Sequence, residues 1–210
     1  MPAGLVDAPL PTHYEPNDSP LENPLYPDRR ANPARLRYDR PENPYAPSGD
    51  DPRASVYPYV MTTYRLTEHH TAGGMSRNEA YLSELQPEFF CEVSPELAVE
   101  RSLEHAGWAT IVSPVSAIEA RVLVTERMSP VTVEGRTVHQ VGLPYHWGQD
   151  GLSTGDSAND LFGIVLDPNV HIQEVKAAQC DIRPGRRPRG PGLVGLVEDY
   201  RRRAGEGSAA

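Results

Sequence analysis

Thiols are scarce in this chain: Cys91 and Cys180 are the only cysteines among its 210 residues. Two thiols cannot build a disulfide framework, a four-thiolate zinc site or a cysteine-ligated iron–sulfur cluster. Long apolar runs are missing too. Nothing approaches the roughly 20 residues that cross a bilayer as a helix, so no direct membrane insertion is expected. The opening MPAGLVDAPLP has neither the basic region nor the apolar stretch of a secretion signal, and as written the chain reads as cytoplasmic. Positive charge is short, with 20 basic residues against 29 acidic ones and a formal net charge of −9. Non-specific nucleic-acid affinity comes from neutralising phosphates, so no nucleic-acid partner is expected. Lysine is nearly absent, Lys176 being the only one. Basic chemistry therefore falls to arginine, whose planar fork suits bidentate contact with carboxylate or phosphate. Seven arginines lie between Arg183 and Arg203, a run whose ordinary reading is a solvated face or a docking segment.

Proline, by contrast, is abundant, and 13 of the 22 prolines precede Val60. Each fixes φ and removes a donor, and each pushes the residue before it toward extended geometry. Residues 1–56 accordingly read as an extended proline-rich arm without a core of its own, its aromatics available to a partner surface. From Tyr57 the composition changes. Residues 57–66, 89–93, 108–113 and 118–125 are rich in β-branched and aromatic side chains, and Ile118, Ala120, Val122 and Val124 alternate with Glu119 and Arg121. These predict strands. Residues 131–133 and 137–141 flank Glu134-Gly135-Arg136, a three-residue connection that predicts a hairpin. Ser94-Pro95-Glu96 supplies a capping hydroxyl, a proline for the first helical position and an early acid, predicting a short helix that stops at Gly107. A long irregular stretch follows from Leu143 to Leu161. A last strand is expected over 177–182, and Leu193, Leu196, Val197 and Tyr200 then share one helical face.

Three local patterns compete for chemistry. Gly151-Leu152-Ser153-Thr154-Gly155 has the G-x-S-x-G spacing of a nucleophile elbow, with Asp160 or Asp167 and then His171 behind it. An elbow needs an apolar strand running into the serine and a helix running out; here the flanks are HWGQD and GDSAND, which predict a glycine–serine loop. Glu68, His69 and His70, with His139 and His146 further on, lack any metal-ligand spacing. The third pattern is the polar run from Thr62 to Gly74, where a strand end meets paired glycines. Such a run can cradle an anion through backbone N–H groups and one arginine, Arg65.

Taken in order, TTYRLTEHHTAGG, QPEFFCEVSPELA, a glycine–tryptophan strand, GLPYHWG, SANDL and DPNVHIQEVKAAQCDIR closely resemble the C-terminal molybdopterin-dinucleotide-binding domain of formate dehydrogenase catalytic subunits. LPTHYEP and SPLENP upstream resemble the linker that precedes that domain. The resemblance implies a mainly β fold, a double-psi β-barrel of the aspartate-decarboxylase-like kind, over residues 57–183. It implies that this barrel caps a bis(molybdopterin guanine dinucleotide) cofactor whose molybdenum or tungsten carries formate oxidation to carbon dioxide. Carried over position by position, Thr63, Arg65, Thr67, Glu68, His69 and His70 would line the pterin and pyrophosphate. Trp147 and Gly148 would face the cofactor, Asn159 would hydrogen-bond the pterin, and Lys176 would be the basic residue of the final motif.

The resemblance also implies what lies elsewhere. The family's iron–sulfur cysteines, metal ligand and catalytic groups belong to an N-terminal iron–sulfur and molybdopterin portion, which becomes the expected partner, with an iron–sulfur electron-transfer subunit as a further one. No catalytic residue and no metal ligand is expected on this chain, which alone should be inactive. Residues 184–210 read as an arginine-rich extension with a short helix. The competing reading is a stand-alone, non-redox barrel module that binds a nucleotide-like ligand or a protein partner.

Overall fold

The computed structural model describes Pro20, residues 52–163 and residues 177–205. Its strands are β1 (Tyr59–Tyr64), β2 (Phe90–Val93), β3 (Trp108–Val112), β4 (Ala117–Val124), β5 (Val131–Val133), β6 (Arg136–Val138), β7 (Gln140–Pro144) and β8 (Ala177–Pro184). The helices are α1 (Pro52–Val56), α2 (Ala80–Leu85), α3 (Pro95–Glu100) and α4 (Pro191–Arg203). Six strands close into a barrel in the order β1-β7-β2-β4-β3-β8, and β5-β6 form a separate ribbon. Two neighbouring pairs are parallel, β1 with β7 and β2 with β4, while the other barrel pairs are antiparallel. The mainly β, closed-barrel architecture implied by the sequence is therefore present.

Alternation explains the barrel's inside and outside. In β4, Ile118, Ala120 and Val122 point into a core they share with Met61, Cys91, Ile111, Leu143 and Ile182. A fully buried aliphatic of this kind contributes about 1.5–3 kcal/mol over leaving it in water. Ser94 caps α3 as its residue type predicts, its Oγ accepting from the Leu97 N–H at 3.1 Å with Pro95 in the first helical turn. The helix does not run on to Gly107. Ser102 takes a left-handed φ of 55°, and the N–H groups of Ser102 and Leu103 donate back to Val99 and Ala98 at 3.2 and 2.8 Å. That is a Schellman stop, with buried Leu103 and Ala98 as its apolar contact.

The hairpin also departs from expectation. Val133 pairs with Arg136, leaving a two-residue turn whose Glu134 and Gly135 both have positive φ, 47° and 78°. Turns with two left-handed central residues match the right-handed twist of the flanking strands. The run expected as one strand over 137–141 breaks at His139, so β6 serves the ribbon and β7 the barrel. Helices α1 and α2 carry too few periodic apolar residues to stand out in the sequence.

The arginine-rich tail is not a solvated run. Helix α4 lays Val197 and Tyr200 on Val56, Tyr57, Val112 and Ala117, making a second small core. The Tyr200 hydroxyl donates to buried Asp181 at 2.6 Å, and Arg101 reaches the other oxygen at 2.7 Å. Ahead of α4, Arg186 and Arg189 both donate to Glu119 Oε1, at 2.5 and 2.7 Å. Arg187 grips Asp156 through two bonds of 2.6 and 2.8 Å. Because β2 begins opposite Arg121, the Glu119 N–H has no strand partner on that side. Asp156 Oδ2 accepts it at 2.9 Å. Burial pushes both acids up, but the guanidinium bonds outweigh it and hold the Glu119 and Asp156 carboxyls below the usual range. Depressed carboxyls stabilise the fold above their unfolded values near 4, and that contribution disappears as pH falls through the folded values. Asp156→Asn should therefore cost about 2 kcal/mol at pH 7 and show a shallower loss of urea midpoint between pH 6 and pH 3 than the parent. Parallel pH profiles would contradict the latch.

Candidate functional site

Because β1 and β7 are parallel, their C-terminal ends lie together, with Thr63 beside Leu143 and Tyr64 beside Pro144. The chain leaving each strand contributes one half of the site. The Tyr145 N–H donates to the Tyr64 carbonyl at 3.0 Å, carrying the pairing one residue past the strand. Arg65 then stacks its guanidinium 4.0 Å over the Tyr145 ring. Asn159 arrives from a third direction. It sits on a 3-10 turn, Ala158–Leu161, whose start is capped by Ser157, and its Nδ2 donates to the Tyr145 hydroxyl at 3.2 Å. Arg65, Tyr145 and Asn159 thus form one polar group from three separate sequence motifs. Arg65 has no ion pair among the described residues, and both it and Asn159 are exposed.

Beneath this group the histidines hold the loops together. The Leu66 N–H donates to His146 Nε2 at 2.7 Å, while His146 Nδ1 donates to the Thr71 carbonyl. One nitrogen accepts and the other donates, so the ring is neutral, and burial pushes its pKa down. His69 is buried with both nitrogens engaged, Nε2 donating to the Gln86 carbonyl at 3.0 Å and Nδ1 accepting from Ser76 Oγ at 3.1 Å. Trp147 packs edge-on against His69 at 5.1 Å and against Phe89 at 5.8 Å. Its indole Nε1 is buried without a partner among the described residues, as is Thr63 Oγ1.

The residues expected from the sequence therefore separate. Arg65 and Asn159 meet around Tyr145, with Thr67 and His70 exposed on the same loop and Glu68 partly so. Thr63 lies on β1, and Gly148 follows the buried Trp147. His69 and Trp147 face inward. Lys176, Asp167 and His171 lie outside the described residues. Ser153 is buried, with its Oγ donating to Ser83 at 3.3 Å and no strand leading into it, so it has no elbow geometry. No cluster of three metal-ligating side chains forms among the described residues, nor is any described helix long and apolar enough to cross a membrane.

Two residues at the site carried no sequence signal of their own. Tyr145 stood inside a glycine-rich stretch, and only its place between a proline and a histidine–tryptophan pair marked it. Arg77 is 5% exposed and donates through Nη1 to the carbonyls of Gly148 at 3.2 Å, of Ser153 at 3.1 Å and of Asp150. An arginine between Ser76 and Asn78 looks like surface.

Residues 59–179 match the family model described as "Molydopterin dinucleotide binding domain". The chain belongs to that family. Among curated relatives, this dinucleotide-binding domain is 37% identical over 180 residues to formate dehydrogenase 2 subunit alpha (cytochrome c-553) of Nitratidesulfovibrio vulgaris, covering 86% of the chain and 17% of the relative. It is 36% identical over 181 residues to the nitrate-inducible formate dehydrogenase major subunit of Escherichia coli, covering 85% and 17%. The assimilatory nitrate reductase catalytic subunit of Bacillus subtilis matches at 27% identity over 86% of the chain and 23% of that protein. The chain thus spans about a sixth of the formate dehydrogenase subunits it matches. Among solved structures, acetylene hydratase from Pelobacter acetylenicus superposes with a TM-score of 0.53 at 12% identity, over 84% of this chain and 21% of that one. This likeness shows a shared fold.

The paired glycines after the histidines give a direct test of how tightly the two loops meet. A Cβ on Gly73, at φ +77°, would stand 2.0 Å from the His146 carbonyl oxygen, whereas one on Gly74 would meet nothing within 4 Å. Gly73→Ala should cost roughly 3 kcal/mol or more in urea unfolding, and Gly74→Ala should stay within about 0.5 kcal/mol. Equal effects would mean that the loops do not meet as described.

Proposed function

We propose that this domain caps a bis(molybdopterin guanine dinucleotide) cofactor as the C-terminal part of a formate dehydrogenase catalytic subunit. The observation that carries the reading is Arg65: a guanidinium with no carboxylate partner among the described residues, fixed in direction by the Tyr145 ring, at the loop end of a barrel that belongs to this family. The residues suit such a ligand. Arg65 offers charge-assisted bonds to phosphate. The Asn159 amide presents both a donor and an acceptor, which matches the mixed edge of a pterin. Thr63 Oγ1 and the inward-facing Trp147 Nε1–H are buried without a partner among the described residues, and buried groups of this kind are seldom left alone.

When bound, the cofactor supplies redox chemistry at molybdenum or tungsten, ligated by the rest of the subunit. This chain's residues bind and orient. Arg65 holds the pyrophosphate, with the exposed Thr67 and His70 and the partly exposed Glu68 around it, and Asn159 fixes the pterin. His69 and His146 position their loops, since their ring nitrogens are already engaged. Gly148 lets the backbone approach closely, and Lys176 would add a basic group. The formate dehydrogenase assignment rests on relatives of which this chain spans 17%. An N-terminal iron–sulfur and molybdopterin portion is accordingly the expected partner. In domain terms, residues 57–183 would be the binding barrel, 1–56 the approach to it and 184–210 the strap that closes on it.

Co-expression with the N-terminal portion of a matching formate dehydrogenase tests this reading. The complex should retain metal and pterin and oxidise formate. Arg65→Ala should lower cofactor content roughly ten- to a hundredfold at limiting cofactor, because a hydrogen bond to a charged group is worth about 1.5–3 kcal/mol. Asn159→Ala should act in the same direction but less, for a neutral bond worth about 0.5–1.5 kcal/mol. Arg202, exposed and paired with Asp199 at 2.6 Å, is the control. If Arg65→Ala and Arg202→Ala behave alike, the phosphate contact lies elsewhere and the non-redox module becomes the better reading.

A further inference from the structure

Arg77 is buried, yet it forms no ion pair among the described residues. Its partners are three main-chain carbonyls, those of Gly148, Asp150 and Ser153, all bonded to the single nitrogen Nη1. Its own carbonyl is engaged as well, accepting from the Leu152 N–H at 2.8 Å and from Ser83 Oγ at 2.9 Å. The loop from Gly148 to Ser153 is wrapped around one cation. Gly151 takes φ +120°, and a Cβ there would lie 3.0 Å from both Arg77 Cβ and the Arg77 carbonyl oxygen. A Cβ on Gly148 would meet Arg77 Nη2 at 3.1 Å. Gly148 O also accepts from the Gly155 N–H at 3.0 Å, so one carbonyl joins the base of the loop to the arginine.

These carbonyls constrain what the loop shows to solvent. Every described peptide bond is trans, and in a trans peptide the C=O and the following N–H point in opposite directions. Drawing the carbonyls of Gly148, Asp150 and Ser153 toward Arg77 therefore turns the N–H groups of Gln149, Gly151 and Thr154 away from it. None of those three N–H groups has a partner among the described residues, and all three residues are exposed. Outward N–H groups around a buried positive charge make a surface suited to an anion.

We infer that Arg77 is a positioning residue that sets the 148–155 loop with its amides outward, ready for the phosphates of the dinucleotide. The inference rests on the cofactor-capping reading for the identity of the anion, but the loop's dependence on Arg77 stands apart from it. The cation is the essential part. A guanidinium keeps its charge at any working pH, and an ammonium with three donors can serve three carbonyls, whereas an apolar chain of similar length cannot.

Hydrogen exchange on the full chain and cofactor content of the co-expressed complex test this together. Arg77→Met should speed exchange at the Leu152 and Gly155 amides at least tenfold while Ile111 and Ile118, in the barrel, stay protected. Arg77→Lys should restore protection to within a few-fold of the parent. In the complex, Arg77→Met should lower retained pterin at least fivefold, with recovery in Arg77→Lys. Unchanged loop exchange in Arg77→Met overturns the inference, and so does a loosened loop with full pterin retention. If Arg77→Met fails to fold, Arg77→Lys decides: parent-like exchange and retention support the cation template, and loss of either contradicts it. Arg65→Ala should leave loop exchange unchanged. A parent complex that retains no pterin would sink the capping reading while leaving the exchange result to judge Arg77's hold on the loop.

Discussion

Parallel pairing of β1 with β7 is the constraint on which the rest of this domain depends. The two strands are some 80 residues apart in sequence, yet Val60 lies beside Gln140 and Tyr64 beside Pro144. Antiparallel partners would have sent their loops to opposite ends of the barrel. Parallel ones deliver Arg65 and Tyr145 to the same end, one residue past their strands, where a ring and a guanidinium stack. Register matters as much as direction, because a slip of one residue would exchange every inward side chain for an outward one. Met61, Val141 and Leu143 would then leave the core they share. The same hydrophobic alternation that closes the barrel therefore fixes the geometry of the site.

Most of the arginines around the site are committed to partners, and Arg65 is left available. Arg186, Arg187 and Arg189 are spent on Glu119 and Asp156, and Arg101 on Asp181. Arg77 is spent on carbonyls. Arg65 alone among these faces solvent with no carboxylate partner among the described residues, on a chain whose overall charge is −9. An anionic ligand would otherwise be repelled by such a chain, so local placement of positive charge decides where it binds. The two clamps also bracket one loop. Arg77 holds its inner side and Arg187 grips Asp156 at its far end, while His146 and His69 tie the neighbouring loop to its base.

Much of the barrel was legible because it obeys local rules. Alternation located β4, a serine–proline pair located α3, and β-branched and aromatic runs located β1, β2 and β3. What escaped was the work of distant partners. The tail read as either a solvated face or a docking segment, and its docking surface stayed hidden because its acids, Glu119 and Asp156, lie 30 to 70 residues upstream of the arginines. Arg77 drew no notice because nothing in a sequence shows that three carbonyls converge on a side chain. His69 and His70 were adjacent candidates that the strand-end loop divides, one buried with both nitrogens bonded and one exposed. The hairpin was found but miscounted by one residue, since a two-residue turn with Glu134 at positive φ is unusual for that side chain.

An experimental structure of the cofactor-loaded catalytic subunit containing this chain tests the central claim most directly. Phosphate or pterin atoms are expected within about 3 Å of the Arg65 guanidinium and the Asn159 amide, over the end of the barrel where β1 and β7 finish. A cofactor seated at the opposite end, against α3 and the β5-β6 ribbon, with Arg65 still facing solvent, would contradict it.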